Sequence, residues 1–348
     1  MTQKNMFICL KFSSILILLL LLQPHSLWAQ KEEADALLEK NKGQYGGHLS
    51  AVAVDTGKVI YSKNVGDYNI NTQEEVGGIS TWFTAAVVMH MVDQGKLKLD
   101  DKVSKYIPDF NKYAKGYITI RHCLTNSTGI EAEKGNIQKF LQKSKFESIE
   151  AEVNNYVSKR EIKQNPGVEI HFSNIGAAIA ARVVEIVGKK NFDRIATEKI
   201  FRPAGMKKTT FTGEMTVNAA NGAKSSASDL GKFLQMLLRK GTINGKVVLS
   251  EKSVNELLKM QFTELPVAYL PKVVDGGEVT LGAFVSEANG DGQAKVIVAP
   301  GFFGGWVYLD LCRGYGGAVI TKQTKNEDKK QLYEDLKGIL DEMKPGCN

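Results

Sequence analysis

Gly77-Gly78-Ile79-Ser80-Thr81-Trp82-Phe83-Thr84-Ala85-Ala86 decides how the rest of this 348-residue chain reads. Two glycines interrupt the preceding segment, and an apolar run containing alanines follows. From Thr81 to Asp93 the spacing predicts a helix, with Ala85, Val88, Met89 and Val92 on one side. Gly95 ends it. Free backbone amides and the positive end of the helix dipole lie together at such a start.

Upstream, Gln30 to Lys42 reads as a short amphipathic helix. Leu49 to Val54 and Lys58 to Ser62 read as strands of a hairpin around Asp55-Thr56-Gly57. Downstream the chain is helix-rich. Ile118 to Leu124 leads into the turn Asn126-Ser127-Thr128-Gly129, and Ile175 to Val187 carries a helical apolar stripe closed by Gly188. Ser226-Ala227-Ser228-Asp229 reads as a capping box, in which hydroxyl and carboxylate both satisfy free amides, ahead of a helix running to Gly241. The last third returns to strands at Val279 to Ser286, Ala294 to Val298, Trp306 to Leu311 and Gly317 to Thr321, before an amphipathic helix from Glu327 to Met343. There is no internal repeat. These elements predict an α/β (α+β) fold: one antiparallel sheet built from both chain ends, flanked by helices, with a helical lobe inserted. The sheet lobe is expected over about 44–77 and 275–345 and the helical lobe over about 78–274. A cleft between them is the natural ligand site.

Composition is that of a globular protein, 43% hydrophobic and 24% charged. The net charge of +7 is dispersed in short clusters such as Lys329-Lys330, which reads as a solvated basic surface and not as a nucleic-acid groove. Residues 1–29 read as a signal peptide: Lys4 and Lys11, the apolar run Ile15 to Leu22, a break at Pro24, and Ala29 before Gln30. A membrane span needs about 20 apolar residues, and Gln23-Pro24-His25 interrupts this one. Residues 30–348 are therefore expected as an exported domain without a stable membrane span. Cys9 precedes the apolar run, so a lipid anchor has no attachment point. Cys123, Cys312 and Cys347 follow it, an odd number. Cys123 lies in an apolar segment. A bridge between Cys312 and Cys347 is open on sequence alone. No cysteine spacing suits zinc, and no metal or cofactor is expected.

Several stretches in order resemble the serine β-lactamase and penicillin-binding-protein superfamily, in its class C β-lactamase, esterase and D-aminopeptidase branch. They are Phe83-Thr84-Ala85, Gly95-Lys96-Leu97-Lys98-Leu99-Asp100-Asp101, Ile118-Thr119-Ile120-Arg121-His122, Pro166-Gly167, Ile200-Phe201-Arg202-Pro203-Ala204-Gly205-Met206 and Ser226-Ala227-Ser228-Asp229-Leu230. The resemblance runs from about Gly47 to Thr321. It implies that family's fold and an envelope location, periplasmic or secreted.

The resemblance also implies three catalytic motifs, and each departs from the pattern here. A serine and a lysine three residues apart on one helical face become Gly78 and Thr81. The tyrosine of Tyr-x-Asn becomes Phe172, ahead of Ser173 and Asn174. The lysine or histidine two residues before a strand glycine becomes Ala299, ahead of Pro300 and Gly301. No serine or threonine in the chain has a lysine three positions later. Ser80 lies two residues from Gly78, a rotation of about 200°, so it should face away. The family's oxyanion hole uses backbone amides, which survive side-chain loss; here these are expected from Gly78 and Phe303. Gly78, Asn174, Gly301 and Phe303 are thus the ligand-binding candidates, with no intact catalytic residue. Trp82 and Trp306 read more readily as core.

Three functions fit. The first is a protein that has lost serine-hydrolase activity and binds a peptide, a peptidoglycan-like fragment or a protein partner. The second is an active hydrolase with a rearranged site, using Ser80, Ser173 or a histidine. The third is a structural or inhibitory partner with a vestigial cleft.

Overall fold

Short runs of valine, alanine and isoleucine, separated by tight turns, build the sheet. The computed structural model describes residues 28–132, 144–211, 216–262, 265–274, 277–301, 305–321 and 329–347. The signal segment lies almost wholly outside them. The predicted hairpin forms as β1 (Leu49–Asp55) and β2 (Val59–Val65). Asp55 Oδ1 closes its turn by accepting from the backbone N–H of Gly57 and Lys58 at 2.7 and 2.8 Å. The C-terminal strands are β3 (Phe284–Ala288), β4 (Ala294–Pro300), β5 (Trp306–Asp310) and β6 (Tyr315–Thr321). They join the hairpin in one six-stranded sheet of order β2-β1-β6-β5-β4-β3. Every pairing is antiparallel, with Leu49 opposite Thr321 and Asp55 opposite Tyr315 where the two chain ends meet.

The helices used below are α1 (residues 28–40), α2 (Ile79–Asp93), α3 (Ile149–Lys159), α4 (Ile175–Gly188), α5 (Ala227–Leu238), α6 (Glu251–Leu258) and α7 (Lys330–Glu342). Among the described residues, no helix is long and apolar enough to cross a membrane. One face of the sheet carries α5, laid on β1 and β6. The other carries the terminal helices. Tyr61 of β2 donates to Asp35 of α1 at 2.9 Å, and Tyr333 of α7 stacks on Trp306 of β5. The one-sided helix expected from Ala85, Val88, Met89 and Val92 is a central helix instead. Every residue of α2 from Ile79 to Met89 is buried, because it lies between α4, α6 and the sheet. A helix apolar all round belongs in such a place.

The strand predicted over Val279 to Ser286 starts later, at Phe284. Gly282 has φ +79°, which breaks the extended run. The capping box at Ser226 forms by half. Ser226 Oγ accepts from Asp229 N at 3.3 Å, but the Asp229 carboxylate turns away to the amide of Lys208 and the Thr209 hydroxyl. A backbone donor and a hydroxyl in the neighbouring loop compete with the helix's own amide and win.

Lys329 departs from the solvated surface expected of Lys329-Lys330. It is 2% exposed, with its ammonium 5.5 Å above the Tyr45 ring. Burial pulls its pKa down to about 8. A lysine lowered in the folded state is charged more readily when unfolded, so the native state gains stability as pH rises from about 8 towards the unfolded value. Lys329→Met should abolish that rise. The difference between wild-type and variant unfolding free energies should change by roughly 2 kcal/mol between pH 7 and 10, read by urea denaturation at each pH.

The bridge left open by the sequence forms between Cys312 and Cys347, with 5.5 Å between their Cα atoms, and Cys123 is buried and free. The bridge fastens the β5–β6 turn to the tail after α7. Closing a loop of sequence separation 35 should stabilise by about 3–4 kcal/mol through lost unfolded-chain entropy. Cys312→Ser should lower the denaturation midpoint accordingly, and reductant should do the same to wild type but not to the variant.

Candidate functional site

The start of α2 is built from backbone. Ile79, Ser80 and Thr81 N–H groups donate to the carbonyls of Val76, Gly77 and Gly78 at 3.2, 2.9 and 3.1 Å. Gly77 has φ +50° and Gly78 has φ −58°, ψ −19°. Glycine is thus favoured by conformation at 77 but not at 78, where any L-residue fits. Gly78 is buried, and its N–H makes no hydrogen bond among the described residues. Together with the Gly77 N–H, which also has no partner among the described residues, it lies at the positive end of a 15-residue helix.

Thr81 is 7% exposed, and its Oγ1 stands 2.8 Å from Gly78 O and 2.6 Å from Gly282 O. Both neighbours are acceptors, so the hydroxyl donates its one proton to them. The close approach requires glycine at 282. A Cβ there would stand 2.5 Å from Thr81 O and 2.9 Å from Ala85 Cβ. Gly282 N in turn donates to Leu124 O at 2.9 Å, which fixes the loop.

Two residues on, Phe284 meets the next expected position. Its ring centroid is 5.7 Å from that of Phe172, which is 3% exposed. Phe172 N donates to Tyr269 O at 3.0 Å, and Ser173 N donates to Asn126 Oδ1 at 3.3 Å. Asn174 stands at the N-terminus of α4, half-buried, and its side chain does not cap the helix. Phe284 also pairs across the sheet with Val298, the neighbour of Ala299. Ala299 is 1% exposed and pairs with Val307. Gly301 follows at the strand end. A Cβ on it would stand 3.1 Å from Val76 O, so this turn lies against the segment leading into α2. The Gly301 N–H is already engaged, donating to Gly305 O at 2.8 Å. As a ligand donor that amide is therefore withdrawn. Phe303, the other candidate donor, lies outside the described residues.

Gly282 thus links Thr81 to Phe284, which links Phe172 to β4 and Ala299, while Gly301 closes the ring near Gly78. Sequence reasoning missed Gly282, Phe284, Tyr269 and Asn126. A glycine inside an otherwise strand-like run is the one signal that pointed to a close backbone approach.

Ser80 is fully buried, and its Oγ accepts from Ala223 N at 3.0 Å. It faces the 219–223 segment with Thr84, whose hydroxyl donates to Ala219 O at 2.7 Å. Among the described residues no histidine is hydrogen-bonded to a serine hydroxyl. His122 forms a capping box with Thr119, and His90 Nδ1 lies 3.1 Å from Val248 O. His171 is half-buried beside the Tyr269 ring, and burial lowers its pKa below the usual imidazole value. Trp82 is fully buried, with its ring edge-on to Phe233, and Trp306 is 6% exposed, so both belong to the core. Among the described residues no group of three or more acidic, histidine or cysteine side chains could hold a metal ion.

The family model described as Beta-lactamase matches residues 36–339. "Protein flp" of Staphylococcus aureus (strain MW2) is 25% identical over 194 residues, covering 52% of this chain and 38% of that protein. The chain therefore matches well under half the length of this relative. Among solved structures, one from Bacteroides dorei DSM 17855 that carries a beta-lactamase name superposes with a TM-score of 0.79 at 22% identity, covering 89% of this chain and 98% of the other. The octameric penicillin-binding protein homologue from Pyrococcus abyssi gives a TM-score of 0.73 at 19% identity, with 89% and 77% covered. At these identities the superpositions speak for the fold.

Proposed function

Because this chain belongs to the beta-lactamase family while Gly78, Thr81, Phe172 and Ala299 stand where that family's reacting side chains are expected, we propose that it is a non-acylating member. It holds a peptide, a cell-wall fragment or a partner protein in the cleft before α2. The observation that carries this reading is the state of Thr81. Its hydroxyl proton is directed at two backbone carbonyls, 2.8 and 2.6 Å away. A neutral hydroxyl so engaged does not take a proton from a nucleophile, and Gly78 offers no nucleophile. The Gly78 N–H, which has no partner among the described residues, supports retained binding, since a helix start with such an amide suits a carbonyl or carboxylate oxygen. Export to the periplasm or the exterior is part of the proposal. It is supported by the apolar run Ile15 to Leu22 and by the Cys312–Cys347 bridge, which suits an oxidising compartment.

A hydrolase rebuilt around Ser80 finds no support, because the Ser80 oxygen faces the Ala223 amide. The test is exposure of the wild-type protein to a fluorescent penicillin, followed by denaturing electrophoresis. No band is expected; a stoichiometric band overturns the proposal.

A further inference from the structure

Thr119 and His122 close the start of the short helix Ile120–Leu124 with a reciprocal pair of bonds. His122 N donates to Thr119 Oγ1, and Thr119 N donates to His122 Nδ1, both at 3.2 Å. Glutamate or glutamine ordinarily holds the second position of such a box, and neither loses its acceptor near neutral pH. Imidazole does. A backbone N–H can only donate, so Nδ1 carries a lone pair and the proton of the neutral ring sits on Nε2.

Protonation puts a second donor opposite the Thr119 amide, and the ring has little room to turn away. The turn of residues 164–167 closes over its other edge, so tightly that a Cβ on Gly167 would stand 2.9 Å from Nε2. That turn carries no charged side chain. Burial is the largest influence on the imidazole and lowers its pKa below the usual value. Of the charges that act on it, Asp100 favours the proton and Arg121 opposes it. The Asp100 carboxylate is itself held by the Arg121 guanidinium, at 2.7 and 3.1 Å.

The far end of the same helix holds the cleft together. Leu124 O accepts from Gly282 N at 2.9 Å, and Gly282 O accepts from Thr81. Asn126 O accepts from His171 N at 2.8 Å and Asn126 Oδ1 from Ser173 N at 3.3 Å, on either side of Phe172. Cys123 O lies against Gly176 in the first turn of α4, where a Cβ would collide with it.

We propose that His122 is a proton-operated latch on the wall of the candidate cleft. Neutral, it closes the helix cap and keeps Leu124 and Asn126 seated. Protonated, it opens the cap and frees the Gly282 loop and residues 171–173. A folded-state pKa below the unfolded one of about 6.5 means that the neutral ring stabilises the closed form. That contribution is complete above about pH 6.5 and is lost as pH falls from there towards the folded value. The latch needs no ligand, so it stands or falls separately from the binding proposed for the cleft.

Amide hydrogen exchange in the ¹⁵N-labelled protein tests it, with wild type and His122→Gln each measured at pH 7.5 and 5.0. Glutamine keeps an acceptor for Thr119 N–H and does not titrate. On acidification the protection factors of the Gly282 and His171 amides should fall about tenfold more in wild type than in the variant. His171 also titrates beside this segment, but it is common to both proteins and cancels in the comparison. Equal falls in the two proteins, or an excess confined to the β1–β6 ladder, overturn the latch. The ring nitrogens of wild type give a second reading that needs no variant: at pH 7.5 the His122 proton should sit on Nε2, and a proton on Nδ1 overturns the proposal.

Discussion

Gly78→Ser alone should leave the protein unlabelled by a fluorescent penicillin, whereas Gly78→Ser/Thr81→Lys/Phe172→Tyr should become labelled. The backbone accepts the first change without strain, because Gly78 already has φ −58° and ψ −19°. The new serine would stand at the start of α2, yet would have no base at position 81. Thr81 directs its proton to Gly78 O and Gly282 O and cannot receive one. General-base assistance contributes about 10²–10⁴-fold, or roughly 3–5 kcal/mol of barrier, so serine alone should react below detection. Lysine at 81 supplies the base, and tyrosine at 172 restores a hydroxyl on a ring already held against Phe284. The series is read as labelled band intensity against time, with circular dichroism to confirm that each variant folds. Labelling of the single variant would show that a base exists elsewhere. Absence of labelling in a folded triple variant would show that Ala299 also has to be replaced.

Gly282→Ala should be among the most damaging small substitutions in the chain, lowering stability by about 3–5 kcal/mol. Two costs combine. The backbone has φ +79°, where an alanine is strained. The new methyl would also meet Thr81 O at 2.5 Å and Ala85 Cβ at 2.9 Å. Relief requires the loop to lift from α2, which breaks the Thr81 bond to Gly282 O. Gly292 supplies the control, since it has the same φ of +79° and a methyl added there would meet nothing within 4 Å. Gly292→Ala should cost only about 1 kcal/mol. Chemical denaturation of both variants separates conformational strain from collision. Equal losses would show that the contact with α2 carries no weight.

The sheet was legible because its runs are short, apolar and bounded by turn residues. Asp55-Thr56-Gly57 marked one hairpin correctly, and alternating burial did not obscure strands that are covered on both faces. The late start of β3 was not legible, since Val279 to Ala283 is as apolar as the strand that follows. What interrupts it is the contact between Gly282 and α2, a tertiary fact. The half-formed box at Ser226 failed for a related reason: the Lys208 amide that draws off Asp229 is 21 positions away. Lys329 read as surface from its charge, and only the placement of Tyr45 under α7 buries it. Spacing was enough to put Gly78 and Thr81 at the start of one helix. It gave no hint of the engaged Gly301 amide, because a backbone hydrogen bond across a turn leaves no residue-type signal.

The meeting of β1 with β6 also sets the order in which this molecule can be made. Leu49 cannot find Thr321 until nearly the whole chain has left the ribosome. During synthesis the hairpin β1–β2 waits with one edge unpaired, while the helical middle emerges and begins to collapse. Loop closure over such a span is slow, and open strand edges invite association between chains. The vulnerable period in the life of this protein is therefore its biogenesis, and a truncation that removes β6 leaves one edge of β1 open and splits the sheet in two instead of merely shortening its last strand.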